Sequence, residues 1–217
     1  MIRWWGAVVW ALVGAMAAAV AVQAFLIRDA AGAEGVFLNE ILAGPARDWD
    51  GDGLYDSKSD EWIELRNAGA TAEALDSYRL ADADRTVRIA LSGSLGPGEI
   101  ALVTGSAAVA WQRSQGQSTA GLSLNNAGDT VFLLRVVGTD TTVVDSRTYG
   151  TIEGGSDRSV GRSLASDAWI LFDALNRYTG SGTPPGTGCP PSPRAANECA
   201  TTDVESTTWG AIKRLYR

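Results

Sequence analysis

The chain has 217 residues, 45% of them hydrophobic, and carries a net charge of −7 with no histidine. Length and apolar content suit one globular domain with a real core, and the lack of a basic stripe argues against nucleic acid as a partner. Without histidine there is no Ser-His-Asp triad, no imidazole base and no histidine zinc site, so any hydrolysis would rest on carboxylates, lysine or metal-bound water.

Met1-Ile2-Arg3 supplies a positive start to an apolar run from Trp4 to Ile27, broken only weakly by Gly6, Gly14 and Gln23. Such a run reads as an export signal, with small-residue cleavage sites at Val22-Gln23-Ala24 and Ala31-Gly32-Ala33. The second is preferred, because Glu34-Gly35 then leads straight into the first strand. The run is also long enough to span a bilayer, so an uncleaved membrane anchor through residues 4–27 stands beside the cleaved signal. Both readings place the domain outside the cytoplasm, secreted or anchored at the cell surface. The expected layout is a signal or anchor over 1–33, a β domain over 34–180 and a Pro/Gly-rich tail over 181–217.

Val36–Leu42 is a short apolar strand interrupted by Asn39-Glu40. The stretch that follows, Asp48-Trp49-Asp50-Gly51-Asp52-Gly53-Leu54-Tyr55-Asp56, places carboxylates at alternate positions and runs on to Asp60-Glu61. Residues 48–61 hold six acids and one lysine, a net charge of −5 that opposes a compact loop unless a cation is bound. Calcium takes six to eight oxygens, and a calcium loop supplies them from positions 1, 3, 5, 7, 9 and 12 with glycine at 6. Counted from Asp48, the ligands are Asp48, Asp50, Asp52, the Leu54 carbonyl and Asp56, with Gly53 at 6. Position 12 is Ser59, so the closing carboxylate comes late, as Asp60 or Glu61. The competing reading is a solvated acidic turn, since Asp and Gly are ordinary turn residues.

In Glu61–Asn67, Ile63 and Leu65 alternate with Glu64 and Arg66, the pattern of a half-buried strand with Glu64 facing solvent. Further strands are expected at Tyr78–Leu80, Thr86–Leu91 and, after the turn Gly96-Pro97-Gly98, Ile100–Val103. Ala107–Trp111 suits a single helical turn or a crossing loop. Thr130–Val137 and Thr142–Tyr149, joined through Gly138-Thr139-Asp140, form a hairpin. Short strands with turn signals every 8–12 residues describe an all-β sandwich.

The pieces Phe37-Leu38-Asn39-Glu40-Ile41, Asp60–Asn67, Leu75–Asp82, Leu95–Glu99, Leu124–Val131 and Val144–Gly150 fall in the order of the lamin-tail domain family, which residues 36–150 therefore resemble. Asp157–Arg162 looks like the extension of exported bacterial members. The resemblance implies an immunoglobulin-like β-sandwich used as a binding or attachment module. It also implies an Asp-rich calcium insert between the first two strands, where this chain has Asp48–Asp60. Ser77-Tyr78 departs from the family's Gly-Trp, although a tyrosine can fill the same core position.

After Gly180 the composition turns to Gly, Pro, Ser and Thr, which reads as an extended, structureless segment. Cys189 and Cys199 lie within it; two cysteines in an exported chain most simply pair. In the terminal stretch, Trp209, Ile212 and Tyr216 share a helical face beside a basic end, suiting a docked helix or a partner-binding tail equally. Glu40, Glu61 and Glu64 near the acidic loop are the candidates for carboxylate chemistry, but Glu40 and Glu61 are expected to orient the loop or add ligands. No Gly-x-Ser-x-Gly elbow or phosphate-cradling loop occurs. The sequence therefore points to a non-catalytic, calcium-stabilised module that binds a protein or cell-surface ligand. The alternatives are an accessory domain of an envelope or matrix assembly and, behind it, a metal-dependent hydrolase.

Overall fold

The structure, a computed structural model, describes residues 35–199. The expected signal or anchor and the expected terminal helix lie outside them.

The chain runs β1 (Val36–Leu42), β2 (Trp62–Asn67), β3 (Glu73–Ala74), a 3₁₀ turn (Leu75–Ser77), β4 (Tyr78–Ala81), β5 (Val87–Ala90), β6 (Ser94–Leu95) and β7 (Ile100–Thr104). Helix α1 (Gly105–Ser114) follows, then β8 (Gly128–Val137), β9 (Asp140–Gly150), β10 (Ser159–Arg162) and β11 (Trp169–Phe172). Five strands form one sheet in the order β11-β10-β1-β2-β7, four form a second in the order β5-β4-β8-β9, and β3 and β6 pair alone. The pairings within both large sheets are antiparallel. The two sheets pack as an immunoglobulin-like sandwich.

Alternation decides which residues meet between the sheets. From the five-stranded sheet come Val36, Leu38 and Ile41 of β1, Ile63 and Leu65 of β2 and Val160 of β10; from the other come Leu80, Ile89, Val131, Leu133 and Tyr149. The step from Leu38 to Ile41 breaks a strict period of two. The β1–β2 register shifts between Leu38 and Glu40, so Asn39 is the extra residue of a β-bulge. That one insertion turns Ile41 inward and Glu40 outward. Trp62 and Glu64 share the outward face with Glu40, and all three are fully buried.

Three expectations are corrected here. Ala107–Trp111 is part of a ten-residue helix, begun by Thr104, whose side chain accepts from the Ala107 amide at 3.3 Å. Residues 181–199 are not structureless: the segment returns across the outer face of the five-stranded sheet, burying Asn197 to 2% exposure. For the same reason Glu64, expected in solvent, has no exposed surface. Strands β10 and β11 extend the first sheet beyond β1, a role the sequence did not disclose.

Candidate functional site

The acidic loop connects β1 to β2 and closes on itself through its own backbone. Asp48 accepts from the Gly51 and Gly53 amides at 2.7 and 2.8 Å, Asp50 from the Asp52 amide at 3.0 Å, and Asp52 from the Leu54 amide at 2.7 Å. Asp56 accepts from the Lys58 and Ser59 amides, both at 2.9 Å, and these bonds hold its carboxyl below the usual carboxylate range. All but the longer reach from Asp48 to Gly53 are short aspartate turns, which suits the alternating acids. Gly51 and Gly53 take φ of +83° and +91°, a conformation a side chain would strain.

Asp60 organises the loop from within. It has no exposed surface, and its carboxylate accepts the amides of Trp49 (2.6 Å), Asp50 (3.0 Å) and Asp56 (2.7 Å). One side chain thus ties the start and the end of the loop to the head of β2. A second acid, Asp157 in the turn before β10, holds the entry of the loop over residues 46–49. It accepts from the Ala46 amide at 3.0 Å, the Trp49 indole at 2.9 Å and Arg47 at 3.0 Å. The Trp49 ring meets Trp62 edge-on at 6.0 Å between centroids. At the exit of the loop, the Gly105 and Ser106 amides donate to the Glu61 and Ser59 carbonyls at 2.7 and 3.0 Å, so the first turn of α1 is seated on the loop. A Cβ at Gly105 would stand 1.7 Å from the Lys58 carbonyl oxygen, which leaves glycine as the residue that permits this approach.

The structure brings Asp48, Asp50 and Asp60 together: one carboxylate oxygen of each lies within 4.8 Å of the others. Oxygens on a single calcium sit at about 2.3–2.6 Å from it and so are at most about 5 Å apart, which makes these three a possible metal cluster. The donor set is all carboxylate oxygen, the chemistry a hard cation takes. Asp52 and Asp56 lie outside that three-way cluster, although both are in the loop, and Leu54 and Tyr55 stand at its exposed tip.

Glu61 is placed elsewhere. Its carboxylate accepts from the Leu124 amide at 3.2 Å, away from the loop, and burial pushes its pKa up to about 8. Asp60, and not Glu61, therefore lies with the carboxylates of Asp48 and Asp50. Glu40, expected to orient the loop, instead lies under the C-terminal segment, where its oxygens take Ser159 and Ser192. Sequence reasoning passed over Asp157 and Gln112. The Gln112 side chain, 2% exposed, holds the 120–121 turn by accepting the Ala120 and Gly121 amides at 2.7 and 3.1 Å. Asp157 begins the Asp157–Arg162 stretch, but its role, like that of Gln112, is set by contacts outside its own segment.

Cys189 and Cys199 are joined by a disulfide with Cα atoms 5.5 Å apart. A disulfide suits an oxidising, extracytoplasmic environment. Among the described residues no helix is long and apolar enough to cross a membrane.

Two antiparallel sheets with a long β1–β2 connection define an immunoglobulin-like structural module. The Lamin Tail Domain family model matches residues 29–151, which is 123 of the 217 residues, and the chain belongs to that family. No curated protein matches the chain.

Proposed function

We propose that this chain is a non-catalytic, extracytoplasmic attachment module whose acidic loop holds one calcium ion. The observation that carries the reading is the convergence of Asp48, Asp50 and Asp60 in a loop already shaped by its own hydrogen bonds. Asp52, Asp56 and the Leu54 carbonyl complete the ligand set as the loop tightens on the ion. Calcium here does no chemistry: it offsets the repulsion among the acids and clamps the β1–β2 connection. Flanking strands leave no helix pair to open, so the loop is a structural clamp and not a sensor.

Residues 1–33 act as signal or anchor, 34–180 as the calcium-stabilised module and 181–217 as a C-terminal extension. The partner is a protein or another cell-surface ligand, and the disulfide supports an address outside the cytoplasm. Thermal unfolding of the full chain with calcium and with EGTA tests the clamp. Calcium at about a hundredfold excess over its dissociation constant adds about 2.7 kcal/mol, a Tm rise of roughly 5–10 °C. A Tm unchanged across millimolar calcium removes the ion from this account and leaves an ion-independent accessory domain.

A further inference from the structure

The outer face of the five-stranded sheet is closed by the segment from Cys189 to Cys199, and the contact is polar. Glu40 on β1 and Glu64 on β2 are direct cross-strand partners, both without exposed surface. Two adjacent carboxylates taken out of water cannot both ionise cheaply. Around them stand Asn39 of the bulge, Ser159 of β10, and Ser192, Arg194 and Asn197 of the covering segment. Glu64 accepts from Asn39 Nδ2 at 3.1 Å and from the Arg194 amide. Among the described residues, the charge of Arg194 acts on Glu64 and opposes the effect of burial there.

The hydrogen count decides where a proton sits. Asn197 Nδ2 donates to the Asn39 carbonyl at 2.9 Å, which fixes Asn197 Oδ1 as the atom facing Ser192. Ser192 Oγ lies 2.7 Å from Glu40 Oε2 and 3.0 Å from Asn197 Oδ1. A hydroxyl has one hydrogen, and neither an amide oxygen nor a carboxylate can donate. With Glu40 ionised, one of these two contacts is oxygen against oxygen. With Glu40 protonated on Oε2, a complete chain forms: Glu40 donates to Ser192 Oγ, and Ser192 donates to Asn197 Oδ1. Glu40 Oε1 remains free to accept Ser159 Oγ and the Ser192 amide, the latter at 3.1 Å.

We propose that the Cys189–Cys199 loop is a proton-locked strap, held over the sheet by a Glu40–Ser192–Asn197 relay that exists only while Glu40 carries a proton. Burial raises the pKa of Glu40 and pushes that of Glu64 up to about 8, in keeping with a proton retained near neutral pH. The sign follows. The raised carboxyls leave the strap fully held at and below their ordinary value of 4.5, and its hold is lost as pH climbs through the raised values. Because the disulfide closes the strap at its two ends, release lifts Ser192 to Asn197 as one loop and uncovers Glu40 and Glu64 without unfolding the sandwich.

Hydrogen exchange of the Ser192 and Arg194 amides in the full chain, corrected for intrinsic rate, tests this. Wild-type protection is expected to fall about tenfold or more between about pH 5 and pH 9. Glu40→Gln supplies a permanent donor at Oε2 and is expected to keep protection nearly constant over that range. In the infrared, a protonated-carboxyl band at neutral pH is expected in wild type and in Glu64→Gln, and is expected to weaken in Glu40→Gln. Flat wild-type protection, a parallel fall in Glu40→Gln, or a band unchanged in Glu40→Gln overturns the proposal. If Glu40→Gln does not fold, the wild-type exchange profile decides alone.

Discussion

Asp60→Asn is the sharpest perturbation of the acidic loop, because it separates two roles that one carboxylate plays. In the structure Asp60 accepts three amides: Trp49 and Asp50 on one oxygen, Asp56 on the other. Asparagine keeps one acceptor oxygen for the first pair, but its amide nitrogen then faces the Asp56 amide, donor against donor. The lost bond and the weakened charge-assisted pair cost about 3 kcal/mol in sum, taking about 1 kcal/mol for each contact of a charged acceptor that water partly replaces. In EGTA this lowers Tm by roughly 6–12 °C. The paired control is Asp52→Asn, exposed and bonded to the Leu54 amide alone. It is expected to change EGTA stability by less than about 0.5 kcal/mol while reducing the gain on adding calcium. Calorimetry on both variants, with and without calcium, measures the two effects apart. Equal stabilities for the two variants in EGTA would refute the role of Asp60 as the hub of the loop, whatever calcium does.

Three further variants probe the supports of the loop and of the C-terminal segment. Asp157→Ala removes the acceptor of Ala46, Arg47 and the Trp49 indole and should cost about 2 kcal/mol, with red-shifted tryptophan emission as Trp49 leaves Trp62; unchanged emission would count against the clamp. Gly105→Ala places a Cβ 1.7 Å from the Lys58 carbonyl and should cost about 2 kcal/mol or more in urea unfolding; a loss below about 0.5 kcal/mol would mean that α1 does not seat on the loop. Replacing Cys189 and Cys199 by serine opens a cross-link of sequence separation 10 and should cost about 3 kcal/mol on the loop-entropy account; unaltered chemical stability would mean that the strap is held without it.

The Asp48–Asp60 loop was legible because its information is local. Aspartates along it bond amides two to five residues ahead, and glycines at positive φ permit the turns, so the pattern of acids and glycines marks where the loop lies. The strands were legible for the same reason: alternation of Ile63 and Leu65 with Glu64 and Arg66 fixes which residues share a face. Whether that face is wet is a different question. Glu64 looked solvated because nothing nearby in sequence could cover it; its cover, Arg194, lies 130 residues further on.

The sequence by itself thus determined the all-β sandwich class, the position of the acidic loop and the absence of imidazole chemistry. Only the tertiary structure decided which of Asp60 and Glu61 joins the loop, because two adjacent acids just ahead of β2 carry no local signal for the direction each side chain takes. Asp60 turns into the loop and Glu61 towards Leu124. It also decided that the Pro-rich tail is a strap. Its polar residues are unremarkable until the bulge at Asn39 turns Glu40 outward and gives Ser192 and Asn197 a partner.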